Sequence, residues 1–124
     1  MTVRLFPVEA EAEVLGAIFS AASYSAEAGH KIYRRAEAAG LDPAHFGAAS
    51  YVVLYSTIGR MVEANVPVDA VSVAAELDRD HADPHVIQRL RVLAASVPAF
   101  NAIEHHASIV IDAAVRREIE GQVS

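Results

Sequence analysis

Apolar residues recur at helical spacing along most of the chain. The clearest case lies between Ser50 and Ala64, where apolar side chains return every three or four positions: Tyr51, Leu54, Tyr55, Ile58, Met61 and Val62. No segment alternates apolar and polar residues for long, as a half-buried strand would. The pattern therefore predicts an all-α fold whose central helix spans about 50–64.

Two helices are predicted before the central one. The first runs from about Pro7 to Phe19, and Gly16 within it indicates close packing against another backbone. Its buried stripe is predicted to be Val14, Leu15, Ile18 and Phe19. The second begins at a cap provided by Ser23 or Ser25 and ends at Gly40. Its inner face is predicted to carry Ile32, Ala36 and Ala39, and a short helical turn that carries Phe46 follows at Asp42-Pro43.

A corner with a specific turn chemistry follows the central helix. The residues predicted to build it are Asn65, Pro67, Val68, Asp69 and Val73. Asn65 tolerates the left-handed conformation in which many helices end, and the proline keeps the residue before it extended. Asp69 can cap the next helix by accepting a hydrogen bond from the backbone of Val71 or Ser72, while the two valines form a hydrophobic staple. These residues are predicted to be structural and to carry no chemistry.

The last part of the chain is predicted to form a helical hairpin. Asp83-Pro84 begins one helix, Pro98 stops it, and Asn101 can cap a second helix that reaches about Glu120. That last helix has two apolar stripes, the first formed by Ile103, Ala107, Val110 and Ala114, the second by Ile111, Val115 and Ile119. Two stripes indicate two packing partners, one of which we expect to be another chain. The alternative is that the second stripe is core in a tightly wrapped monomer.

The length of 124 residues suits one domain, 1–124, divided into a globular bundle at 1–80 and the hairpin at 84–120. The net charge is -6 with a single lysine, Lys31, so direct binding to nucleic acid is not expected. No apolar run is long enough to span a membrane, no signal pattern opens the chain and no cysteine occurs, which predicts a cytoplasmic protein.

No residue pattern in the chain indicates catalysis or a cofactor. The phosphate-binding pattern Gly-x-x-x-x-Gly-Lys-Ser/Thr is absent from the sequence. His81 and His85 have a spacing that could hold zinc on one helix, but Pro84 interrupts that helix, so we predict no metal site. The acids Glu9, Glu11 and Glu13 are spaced so that they spread around a helix, and we predict a solvated surface for them.

Three stretches resemble the N-terminal domain of DnaB-type replicative helicases, in order and over nearly the whole chain. They are EAEAEVLGAI at 9–18, PVDAVSVAAEL at 67–77, and VPAFNAIEHHASIV at 97–110, followed by AVRREI at 114–119. The chain departs from that family at 46–51, which lacks the usual aromatic pair and the proline with a histidine. Asn65 stands where the family usually has glycine, which keeps the left-handed tolerance.

The resemblance implies a function without catalysis. It implies a small bundle with a hairpin through which subunits pair into dimers within a hexameric collar, and a platform for the C-terminal domain of primase. The implied interface residues are Ile103, Val110, Ile111, Val115, Ile119 and Arg116. The expected partners are a second copy, as homodimer or higher oligomer, and primase or helicase subunits. The alternatives are a free-standing regulator that mimics this domain and, more distantly, a small metal-dependent enzyme.

Overall fold

The structure, a computed structural model, describes residues 7–96 and 102–123. Within them the fold is all-α, as predicted, and consists of α1 (Pro7–Tyr24), α2 (Ala26–Ala38), a 3₁₀ helix (Pro43–His45), α3 (Ala49–Glu63), α4 (Ala70–Arg79), α5 (Pro84–Ala94) and α6 (Ile103–Val123). The predicted stop at Pro98 and cap at Asn101 lie outside the described residues.

Helix α1 is the element on which most of the other helices pack, chiefly α2 and α6. Its predicted stripe is confirmed, since Val14, Leu15, Ile18 and Phe19 are all buried. The helix continues past the predicted end at Phe19 because Ser25 rather than Ser23 caps α2, through a hydrogen bond from the backbone of Ala28. Ala39, predicted to face inward, is exposed because it lies beyond the last residue of α2.

Helices α1 and α2 approach each other closely at Gly29. A Cβ atom at this position would lie 2.6 Å from the Cβ of Ala22 and 3.0 Å from its Cα. It would also lie 3.1 Å from a methyl group of Val68, in the corner after α3. A hydrogen side chain at 29 is therefore what lets α1, α2 and the corner meet in one place.

The corner after α3 is held by backbone hydrogen bonds and by a side-chain cap. Asn65 has a φ of 58°, and the last turn of α3 closes through bonds from Asn65 N to Val62 O and from Val66 N to Met61 O, both 2.9 Å. Asp69 caps α4 by accepting a bond from the Ser72 backbone at 3.3 Å. The corner is also tied to α2, because the Nε2–H of His30 donates to Val66 O at 2.7 Å. Both staple valines, at 68 and 73, are fully buried.

Glu11 corrects the expectation that the acids of α1 form a solvated surface. Its side chain is only 2% exposed, and Oε1 accepts hydrogen bonds from Gly47 N at 3.0 Å and Ala48 N at 3.3 Å. Ala48 is the N-cap residue of α3 and provides no side-chain cap of its own. The carboxylate of α1 therefore caps α3 from a distance of 36 residues along the chain and places its charge where the helix dipole favours it.

The core is a single cluster that includes both helices of the predicted hairpin. The buried side chains of α5 are Val86, Leu90 and Leu93, and those of α6 are Ile103, Ala107 and Val110. Helix α5 packs on α1, α3 and α4, whereas α6 packs on α1, α2 and the 3₁₀ helix. Both helices therefore contribute side chains to the same core as α1–α4.

Candidate interaction surface

The first half of α6 is fixed to the body of the domain. Its first apolar stripe faces inward, with Ile103, Ala107 and Val110 completely buried. On the side of α2, the Arg35 guanidinium donates two hydrogen bonds of 2.7 Å to the carboxylate of Glu104. Such a two-point contact restricts the orientation of both side chains more than a single contact would. This face of α6 is therefore used within the chain.

The ion pair predicts a specific titration behaviour. The hydrogen bonds from Arg35, together with one from its own backbone, hold the pKa of Glu104 below the ordinary value of 4.5. Because the pKa of Glu104 is lower in the folded state than in the unfolded state, the ion pair with Arg35 stabilises the fold at pH values above the unfolded pKa. This stabilisation is lost as the pH falls through the folded pKa. We expect Arg35→Gln to raise the pKa of Glu104 toward 4.5, measured by carboxyl-carbon NMR titration.

A matched control exists one residue away. Arg34 pairs with Glu37 and Glu63 instead, at 3.0 and 2.9 Å. Arg34→Gln should therefore leave the titration of Glu104 unchanged. Equal shifts in the two variants would contradict a direct role of Arg35 and indicate a general effect of removing positive charge.

The second half of α6 contacts the 3₁₀ helix through Arg117, and its described residues from Val115 to Gly121 are exposed. Arg117 Nη2 donates a hydrogen bond of 2.8 Å to His45 O in the 3₁₀ helix. A Cβ on Gly47 would lie 3.3 Å from both Arg117 Nη1 and Glu11 Oε2, so the beginning of α1 and the end of α6 meet there. On either side of Arg117 along the helix, Val115 is 45% exposed and Ile119 is 55% exposed. Arg116 is exposed as well.

Two of the predicted interface residues are placed differently by the structure. Ile103 and Val110 are 0% exposed and lie in the core of their own chain, so their side chains offer no surface to a partner. Ile111 is partly buried at the end of α2, where its Cδ1 lies 3.8 Å from the Cβ position of Gly40. We therefore define the α6 stripe as Ile111, Val115, Arg116 and Ile119.

The described residues show neither a metal-binding cluster nor a membrane-spanning helix. In the described ranges, no group of three or more His, Cys, Asp or Glu side chains is placed to hold a metal ion. His81 has a φ of 57° at the end of α4, whereas His85 lies in α5, behind the cap formed by Asp83. None of the helices searched, all within 7–96 and 102–123, has the length and hydropathy needed to cross a membrane.

Sequence reasoning did not single out the exposed face of α5. The buried side of this helix carries Val86, Leu90 and Leu93, and Ala94 is exposed. The opposite side carries Val92, which is 63% exposed. A helical projection of the sequence could have predicted that Val92 is exposed, because it places this residue away from positions 86, 90 and 93, which are buried.

The fold and its surface define an all-α domain in which apolar side chains remain exposed on the outer faces of helices. The model of the DnaB-like helicase N terminal domain matches residues 4–112, and the chain belongs to this family. Among solved structures, the N-terminal domain of DnaB helicase from Mycobacterium tuberculosis is similar with a TM-score of 0.77 and 28% identity. The match covers 94% of this chain and 80% of that one. No curated protein matches the chain.

The family membership supports a helicase-associated module for oligomerisation and interaction. The matched family model is that of the N-terminal domain, and the sequence contains no Gly-x-x-x-x-Gly-Lys-Ser/Thr loop. The resemblance noted from three short stretches is thus confirmed over most of the chain.

Proposed function

We propose that the chain is a non-catalytic module of the DNA replication machinery that self-associates through the α6 stripe and contacts the C-terminal domain of primase. The proposal rests chiefly on the exposure of Val115 and Ile119, at 45% and 55%, in the second half of a helix whose first half buries Ile103, Ala107 and Val110. Apolar side chains in this position are not covered by the core of their own chain, and a partner would remove them from water.

The charge of the chain supports a protein partner. The net charge of -6 leaves little capacity to neutralise phosphates, and four of the described arginines already pair with carboxylates: Arg34, Arg35, Arg60 and Arg79. We therefore propose helicase subunits or primase as the partners of this chain, and no direct contact with DNA.

Self-association is tested by a charged substitution in the stripe. We expect wild-type protein to be a dimer or larger in light scattering at high micromolar concentration, and Val115→Asp to be a folded monomer. The reason is that a carboxylate desolvated in an apolar contact without a partner is strongly unfavourable. Val115 is preferable to Ile111, since Ile111 is partly buried and its replacement would also disturb the fold.

Val71→Asp is the matched control. Val71 is 79% exposed on α4, outside the stripe, so this variant should keep the mass of the wild type. A wild type that is monomeric at high micromolar concentration would contradict the self-association proposal.

Binding to primase or helicase is tested separately. The purified chain is titrated with the C-terminal domain of the cognate primase and, in a second experiment, with the helicase motor. Absence of binding to both would remove the replication proposal.

A further inference from the structure

Arg117 continues the buried side of α6 beyond the point where its apolar residues end. Positions that alternate in steps of four and three residues lie on one side of a helix. On α6 one such row starts with the buried side chains and continues toward the end of the helix. Its members, which we call the inner row, are Ile103, Ala107, Val110, Ala114, Arg117 and Gly121. Because glycine has no side chain, Arg117 is the last side chain that the inner row provides within α6 (Ile103–Val123).

The guanidinium of Arg117 reaches the segment that connects the 3₁₀ helix to α3. Its Nη2 donates the hydrogen bond of 2.8 Å to His45 O. Its Nη1 lies 3.3 Å from the position that a Cβ would take on Gly47. The same segment is held by Glu11 of α1, whose Oε1 accepts from Gly47 N at 3.0 Å. Side chains from α1 and α6 therefore both fix this connection.

The exposed apolar side chains of the α6 stripe lie on the other side of the helix from Arg117. Val115 and Ile119 are each two positions away from it, and two residues correspond to a rotation of about 200° around a helix. Both are largely exposed, at 45% and 55%. The contact between Arg117 and His45 O therefore restricts the rotation of α6 about its own axis and directs the stripe away from the body of the domain.

We propose that Arg117 is a positioning residue for self-association, which holds the second half of α6 in the orientation that presents the α6 stripe to a second copy. This inference rests on the self-association proposed above and adds a residue that prepares the surface without touching the partner. A helix end that already has its bound orientation loses less conformational entropy when the complex forms. The contact with His45 O therefore strengthens association from the side of α6 that faces away from the partner.

Arg117→Gln tests the role, because the glutamine side chain is two bonds shorter and no longer reaches His45 O. At a concentration where the chain is monomeric, we expect the backbone amides at 115–121 to exchange with deuterium about threefold to tenfold faster. The amides at 104–110, in the buried half of α6, should keep their rates. The association constant from sedimentation equilibrium should fall by a similar factor. Arg117→Lys keeps a charged donor and should recover part of both losses.

Arg91→Gln is the matched control, since it removes the same charge from an exposed position on α5. It should change neither the exchange rates in α6 nor the association constant. Circular dichroism verifies that each variant is folded.

The two measurements separate the positioning role from the self-association on which it rests. Weaker association without faster exchange at 115–121 would mean that Arg117 contacts the partner itself. Faster exchange with unchanged association would mean that the contact does not prepare the stripe, and faster exchange at 104–110 as well would indicate a general loss of stability. Each of these results contradicts the positioning role and leaves self-association standing. A wild type that stays monomeric contradicts both, whatever the exchange rates show.

Discussion

Glu11→Ala is expected to lower the free energy of unfolding by about 3 kcal/mol and the melting temperature by roughly 10 °C. The carboxylate is buried and accepts hydrogen bonds from the backbone N–H groups of Gly47 and Ala48, immediately before the first residue of α3. Truncation leaves both donors without this acceptor and removes a negative charge from the beginning of α3. Urea unfolding followed by circular dichroism measures the change.

Two variants calibrate this result. Glu11→Gln keeps an oxygen that can accept the same bonds but loses the charge, so its cost should be smaller, about 1 kcal/mol. Glu9→Ala removes an exposed acid from the first turn of α1 and should cost a few tenths of a kcal/mol. If Glu11→Ala were no more harmful than Glu9→Ala, the capping role of Glu11 would have to be abandoned.

Gly29→Ala is expected to destabilise the domain by about 2 kcal/mol, although alanine is the better helix former by about 1 kcal/mol. The added Cβ would lie 2.6 Å from the Cβ of Ala22, and 3.0 Å from a backbone atom that cannot rotate away. Relief therefore requires α1 and α2 to separate, which also disturbs Val68 in the corner. Thermal unfolding of the purified variant measures the loss.

If the contact between residues 22 and 29 causes the loss of stability, a double variant should recover part of it. Ala22→Gly with Gly29→Ala moves the methyl group from one helix to the other, so it should recover about 1 kcal/mol or more of the loss. Gly121→Ala serves as the reference, because an added Cβ there meets nothing within 4 Å and should be neutral or slightly stabilising. Strictly additive losses in the double variant would show that the contact at Ala22 is not the cause.

The parts of the fold that could be predicted are those determined by residues close to one another in the sequence. The stripe of α3, the left-handed residue at Asn65 and the cap at Asp69 all depend on residues within a few positions of one another. Physical chemistry over one or two helical turns is enough to predict them. The cap at Asp83 belongs to the same group, since it accepts a bond from His85 N at 2.9 Å.

The parts that could not be predicted depend on which helices meet. Nothing near Glu11 in the sequence indicates that α1 passes the beginning of α3, so an acid in an acidic stretch was interpreted as solvated. The contact of Gly29 with α1 was not predicted either, because the sequence does not say which residues of α1 and α2 face each other. The α6 surface was predicted in part. The helix has two stripes, but only the packing of α6 on α1 decides that Ile103 and Val110 belong to the core.

The long-range cap of α3 has a consequence for how the sequence can evolve. Because the backbone N–H groups of Gly47 and Ala48 donate to Glu11, the beginning of α3 depends on a residue of another helix. A substitution at position 11 therefore acts on α3 as much as on α1. A capping side chain gained at position 48 would not replace it, since an N-cap side chain accepts from the second or third N–H of its helix and not from those of residues 47 and 48. The constraint on position 11 is thus set by a turn that lies 36 residues further along the chain.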